Sequence, residues 1–173
     1  SQPMSRRDHW IVLFCSLLYV VSQANIALMT LPLKPDVLAF QLTFSSTSFW
    51  SIIDAWGPSG VALYRAHMPF DMLHPFICGT LGVLTVNRTP LFAPFSPKAR
   101  RFFCLMLPVA GGFDLIENSC HLYLLAQEHS AGTWIIPFSG SCSAIKWALA
   151  GLFSIMLILS SVWFLLKFLT TRH

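Results

Sequence analysis

Four long apolar stretches constrain this chain more than any other feature of its sequence. They cover about residues 10–31, 60–86, 102–126 and 141–169. A helix needs about 20 mostly apolar residues to cross the hydrocarbon core of a bilayer, and each stretch reaches that length. Backbone polar groups inside a bilayer must be paired internally, so such stretches fold as helices. We therefore predict an all-α, polytopic membrane protein, in which residues 1–173 form a single membrane domain with four transmembrane helices in an antiparallel bundle.

Composition agrees with a membrane location. Only 10% of the 173 residues are charged and 55% are hydrophobic, whereas soluble domains are about 25% charged. The net charge of +4 would raise the question of nucleic acid in a soluble protein. Here the basic residues sit mostly at the ends of apolar stretches, so we expect no nucleic-acid partner. The five cysteines form no CxxC pair, which argues against a disulfide scaffold.

The connection between the first two stretches is itself partly apolar. Residues 49–56 hold aromatic and aliphatic side chains, and Ser45–Ser48 precede them as a typical N-terminal cap. Residues 57–60, with the sequence Gly-Pro-Ser-Gly, then break the helix. This pattern predicts a short interfacial helix over about 49–55, before the second stretch begins.

The positions of basic residues predict the orientation in the membrane. Both ends of the chain and the second connection collect most of them: Arg6, Arg7, Arg88, Lys98, Arg100, Arg101, Lys167 and Arg172. The opposite connections contribute Lys34. Because Lys and Arg concentrate in cytoplasmic loops, we expect both termini on the cytosolic side, or on the matrix side if the protein resides in the mitochondrial inner membrane.

The second connection also suggests a lipid contact. Lys98, Arg100 and Arg101 lie beside several phenylalanines at the predicted inner surface of the membrane. Basic clusters at this level are typical of sites for acidic headgroups. We therefore predict phospholipid partners, acidic ones in particular, at these three residues.

Ionisable side chains inside the apolar stretches are the most informative residues for function, because they are costly in lipid. Two sets recur at helical spacing, so that each set shares one helix face. They are His67, Asp71, His74 and Cys78 in the second stretch, and Asp114, Glu117, Asn118 and His121 in the third. Each face must contact protein or water rather than lipid.

One interpretation of these residues is a structural polar network. Breaking a buried ion pair costs about 3–5 kcal/mol, so such a network would hold three helices together. Its members would be Arg65, Asp71, Asp114, Glu117, Asn118 and Lys146.

A second interpretation is acid–base chemistry on a lipid or sterol. Carboxylates in apolar surroundings suit proton transfer, and a nearby imidazole can share the proton. The catalytic residues would then be Asp71, Asp114, Glu117, His74 and His121.

A metal site and a proton path are two further interpretations, and the sequence lacks residues that each would require. Asp71-x-x-His74 and Glu117-x-x-x-His121 resemble parts of a di-iron site, but such sites draw carboxylates from four helices. A proton path would need polar groups on both sides of the cluster, and the inner halves of these stretches hold few. We predict no metal and no cofactor.

One set of residues resembles a known pattern. Gly57-Pro58-Ser59-Gly60, Tyr64, Asp71, Pro75 and the run from Asp114 to Asn118 (Asp-x-x-Glu-Asn) are similar to a family of small, uncharacterised, four-span membrane proteins. The similarity covers roughly residues 40–169, and the Asp-x-x-Glu-Asn run is its most specific part. The resemblance implies the four-span fold and no particular activity. Sterol-isomerase-like membrane proteins are analogous in layout, but their motif does not match residue by residue.

These observations leave two functions open. Residues 1–9 and 170–173 are polar and have little to pack on in one small bundle, so neighbouring subunits would be needed to order them. We therefore expect a non-catalytic accessory subunit of a larger membrane complex, contacting partner helices and lipids. The mitochondrial inner membrane is one setting that fits. The alternative is a membrane-embedded enzyme acting on a lipid or sterol. A structural subunit should have a closed, fully paired acid cluster. An enzyme should have a cavity open to the bilayer and at least one unpaired carboxylate.

Overall fold

The fold is known from a computed structural model, which describes residues 4–127, 129 and 133–170. Within those residues it is built from helices, and no strand occurs. They are α1 (Arg6–Thr30), α2 (Val37–Gln41), α3 (Ser46–Arg88), a short 3₁₀ turn (Pro90–Phe92), α4 (Pro97–Leu125) and α5 (Ile135–Thr170). The all-α prediction is confirmed for this part of the chain. Arg172 and the outermost residues at both ends lie outside the described residues.

Among the described residues, three helices are long and apolar enough to cross a membrane, namely α1, α3 and α5. The remaining long helix, α4, contains the third predicted stretch. It carries Asp114 and Glu117 in its interior, and these charges reduce its apolar character. α5 begins at Ile135, before the predicted residue 141, because Ile136 is buried against the core.

α3 consists of two segments joined by a kink at Gly57. This residue has φ 61° and ψ −174°, a conformation that glycine adopts without the steric cost of a side chain. Before the kink, the Ser45 hydroxyl caps the helix by accepting from the Ser48 N–H, as the sequence predicted. The apolar face of this first segment is buried in the protein core, where Phe49 and Trp56 pack against Phe40. The predicted short helix therefore exists, but its aromatic side covers the end of the bundle.

Close packing of α3 on α4 brings their polar faces together. A Cβ atom added to Gly111 would lie 3.1 Å from Cβ of Pro75 and 3.3 Å from its carbonyl oxygen. Small residues allow two helices to approach closely in this way. Asp71 lies about one turn before Pro75 on α3, and Asp114 about one turn after Gly111 on α4. The contact at Pro75 and Gly111 therefore holds these two carboxylates on facing helices.

The order of packing leaves a gap between the first and last helices. α1 packs on α3, α3 on α4, and α4 on α5, whereas α1 and α5 make at most marginal contact. α2 contacts α5, and Trp147 of α5 donates from Nε1 to Oε1 of Gln41 at 3.2 Å. The gap is therefore closed at the α2 end and is bounded along its length by α1 and α5.

Candidate functional site

A cavity of about 470 Å³ occupies the gap between α1 and α5. Its size falls within the range of about 300–1,000 Å³ that is usual for small-molecule sites. Gln23 of α1 and Trp147 of α5 both line it and are exposed, so the cavity opens sideways between these helices. Its ionisable lining consists of Tyr19, Lys34, Asp36, His67, Asp71, His74, Cys78, Asp114 and Lys146.

Lys146 is held by two carboxylates of α4. Its Nζ atom lies 2.8 Å from Oδ1 of Asp114 and 2.7 Å from Oε2 of Glu117. The Glu117 side chain is completely buried, and the Lys146 side chain is 10% exposed. This cluster joins α5 to α4, and in it the Lys146 ammonium group forms ion pairs with both acids.

Asp71 has no such partner. Its Oδ2 atom lies 3.7 Å from Nε2 of His67, which is beyond hydrogen-bond distance. The Asn118 side chain lies beside it, yet within the described part of the chain Asp71 Oδ2 and His67 Nε2 make no hydrogen bond of ordinary geometry. Both side chains belong to the lining of the cavity, although these two atoms are themselves buried. An acid and an imidazole with unused hydrogen-bonding capacity therefore lie in the cavity wall, and the Asp71 side chain is the more exposed of the two, at 12%.

A layer of aromatic and polar residues supports this wall from behind. Nδ1 of His67 contacts the Tyr64 carbonyl oxygen, which orients the ring toward Asp71. The Tyr64 hydroxyl lies 2.9 Å from Nδ1 of His121, and the same nitrogen is 3.9 Å from Oε1 of Glu117. His121 is completely buried, so it positions its neighbours rather than facing the cavity.

α1 is joined to the same wall through His74. The Ser22 hydroxyl lies 2.9 Å from Nδ1 of His74, and the Tyr19 ring packs against the imidazole at 5.3 Å between centroids. Because no residue of α1 is buried, this polar contact helps to hold an exposed helix against α3.

The two predicted stripes lie where helical spacing places them. All four members of the α3 stripe, from His67 to Cys78, line the cavity. The four members of the α4 stripe are buried, and Asp114 is the one among them that reaches the cavity. Arg65 is not joined to them: its guanidinium donates to the Leu125 carbonyl oxygen and is exposed.

The predicted lipid-binding residues lie together at the start of α4, beside the C-terminal end of α3. Lys98 and Arg101 are exposed, whereas Arg100 is partly buried and donates to the Val86 carbonyl oxygen at 3.4 Å. Close by in sequence, Arg88 pairs with Asp8 at 2.9 Å. The Ser5 hydroxyl and the Arg88 guanidinium hold the pKa of Asp8 below its usual range.

Sequence reasoning missed the contribution of α1 and of the α2 segment to the cavity. Gln23 is a polar residue in an otherwise apolar stretch, which was a usable signal. Lys34, Asp36 and Gln41 gave no signal, because polar residues in a connecting segment are ordinary.

In the described part of the chain, no group of three or more His, Cys, Asp or Glu side chains is arranged to hold a metal ion. No protein-family model matches the chain, and neither the curated proteins nor the solved structures give a significant match.

Lys146→Met should destabilise the protein strongly, because Asp114 and Glu117 would be left as buried, unpaired acids. Losing one partner of a buried ion pair costs about 3–5 kcal/mol. Adding Asp114→Asn and Glu117→Gln should recover much of that loss, since the uncompensated charges disappear. Thermal unfolding of the purified protein in detergent measures both effects. A single variant as stable as the unmodified protein would show that this cluster does not hold α5 on α4.

Proposed function

We propose that this protein is an integral membrane protein that takes a lipid- or sterol-sized molecule from the bilayer into the cavity. There Asp71 and His67 bind its polar group as an acid–base pair. The observation that carries the proposal is the pair itself: a carboxylate and an imidazole with unused hydrogen-bonding capacity, in the wall of a cavity that opens between two apolar helices.

The proposal includes four transmembrane helices in an antiparallel bundle. Contacts between helix ends support it: Arg88 at the end of α3 meets Asp8 at the start of α1. Asn87 of α3 donates to Sγ of Cys104, near the start of α4, at 3.2 Å. At the opposite end, Leu124 of α4 packs in one core cluster with Ile136 of α5. With the basic residues as in the sequence, both termini lie on the cytosolic or matrix side.

α4 crosses the membrane in this proposal despite its acids. Asp114 and Glu117 share Lys146, so the charges face the bundle and not the lipid. Ionisable residues in membrane helices generally face the bundle interior or a water-filled cavity in this way. The outward side of α4 carries exposed apolar residues such as Leu105 and Ile116.

The proposal includes enzymatic activity, in which Asp71 and His67 catalyse proton transfer on the bound molecule. Asp71 and His67 lie side by side at the cavity wall, so a proton leaving the polar group of a ligand has a carboxylate to accept it and an imidazole next to that carboxylate. Positioned acids and bases of this kind accelerate reactions by about 10²–10⁴-fold. Glu117 and His121 are completely buried and would act through their neighbours.

Narrowing the cavity should remove a bound lipid. Ala150 lines the cavity, whereas the next residue, Gly151, is exposed and has open space around an added Cβ atom. Ala150→Phe should therefore lower the amount of co-purified lipid or sterol, measured by mass spectrometry of an organic extract after transfer to nanodiscs. Gly151→Phe is the matched control and should leave it unchanged. Equal lipid content in both variants and the unmodified protein would contradict a ligand in the cavity.

A second candidate is the accessory subunit of a larger membrane complex. Residues 161–170 of α5 are all exposed and mostly apolar, and α1 buries no residue at all. Partner helices on these faces, with acidic phospholipids at Lys98 and Arg101, would account for both. The mitochondrial inner membrane is one location for such a complex.

Mild-detergent extraction and native gel separation test this candidate. An accessory subunit should migrate in a large assembly of fixed composition, whose members mass spectrometry of the band identifies. Migration as a monomer or a small homo-oligomer would reject it and leave the cavity as the seat of function.

A further inference from the structure

The charges around the cavity do not balance. Three carboxylates lie in or directly behind one wall: Asp71 and Asp114 line the cavity, and Glu117 is buried beside Asp114. In the described part of the chain, Lys146 is the permanent cation within salt-bridge distance of any of them. The other two charged residues of the lining, Lys34 and Asp36, have opposite signs and offset each other. Both short contacts of Lys146 go to α4, which leaves Asp71 with the imidazole of His67 at 3.7 Å. An uncompensated buried carboxylate is costly, so a cationic group beside Asp71 would be stabilising.

The position of Asp71 suits a cationic ligand rather than a structural ion pair. The residue is only 9% exposed, yet it lines the cavity. Its Oδ2 atom makes no hydrogen bond of ordinary geometry with the described residues. His67, completely buried, adds a second unpartnered atom, Nε2, in the same wall. An N–H group on a cation would form a charge-assisted hydrogen bond with the carboxylate, which is about twice as strong as a neutral one.

Other polar groups fit this position less well. An anionic headgroup would meet the carboxylates of Asp71 and Asp114, which lie on facing helices, and like charges repel most strongly where little water screens them. A hydroxyl group could donate one hydrogen bond to Asp71 but would leave its charge uncompensated. The remaining lining includes Pro75, Leu107 and Ala150, which offer an apolar surface to a hydrocarbon body.

We propose that the ligand of this cavity is an amphiphile with a basic amine, and that its ammonium group pairs with Asp71 while its hydrocarbon body lies between α1 and α5. This inference rests on the proposed function, because it names the chemical class that the same cavity takes. It adds a specific recognition residue and excludes anionic lipids from the site.

Three probes of equal chain length separate the possibilities. Dodecylamine, dodecanol and lauric acid are titrated, below their micelle-forming concentrations, into the full-length protein in phosphatidylcholine nanodiscs. Native mass spectrometry then counts bound molecules. Dodecylamine should bind at one site at least about tenfold more tightly than dodecanol, the lower end for a hydrogen bond to a charged group, and lauric acid should bind most weakly.

The variants assign that preference to Asp71. Asp71→Asn should reduce the preference for the amine over the alcohol by about tenfold or more. Asp54→Asn removes an acid whose side chain is 68% exposed and which pairs with His129 outside the cavity, so it should keep the full preference. Equal binding of amine and alcohol to the unmodified protein would overturn the inference, as would an Asp71→Asn variant that retains the preference.

The Ala150→Phe variant shows whether a missing amine preference overturns only this inference or also the proposed ligand site. If all three probes bind alike and Ala150→Phe weakens all of them, the cavity binds amphiphiles and only the amine specificity is wrong. If no probe binds in a way that depends on Ala150, the inference and the proposed ligand site both fail.

Discussion

The contact of Lys146 with Asp114 and Glu117 is the interaction on which the rest of this structure depends. It brings the one ammonium group of the described cluster to 2.8 and 2.7 Å from two acids of α4. It therefore holds α5 on α4 and lets α4 carry acids in its interior. It also leaves Asp71, on the facing helix, without a permanent counter-ion. A structural ion pair on one side of the bundle thus creates the unpaired carboxylate on the other.

Because one acid cluster is paired and Asp71 is not, the sequence alone could not decide between an accessory subunit and a membrane-embedded enzyme. Helical spacing places the acids and histidines on two faces, and those faces are where it predicts them: one lines the cavity and the other is buried. Spacing along a helix does not specify which acid meets which cation. Arg65 and Lys146 were equivalent candidates, and only the packing of three helices assigns Lys146 to α4 and turns Arg65 to the Leu125 carbonyl oxygen.

The cavity itself could not be predicted, because it results from a missing contact. Hydrophobic length predicts that a stretch such as α1 is helical, but not that α1 and α5 stay apart. The kink at Gly57 was predictable from its Gly-Pro-Ser-Gly context. The burial of the helix before it was not, since an aromatic face suits a membrane surface and a protein core equally well. The start of α3 depends on the local cap at Ser45, which was accessible from sequence, whereas the start of α5 at Ile135 was not.

Photo-cross-linking tests most directly whether this cavity takes its occupant from the bilayer. A long-chain amphiphile carrying a diazirine group on its chain is incorporated into vesicles with the protein, irradiated, and the labelled residues are identified by mass spectrometry. If the cavity is filled from the bilayer, labels should appear on cavity-lining residues of both α1 and α5, such as Gln23 and Trp147, and excess unlabelled amphiphile should remove them. Labels confined to the outer apolar faces, and not removed by competitor, would contradict filling from the bilayer.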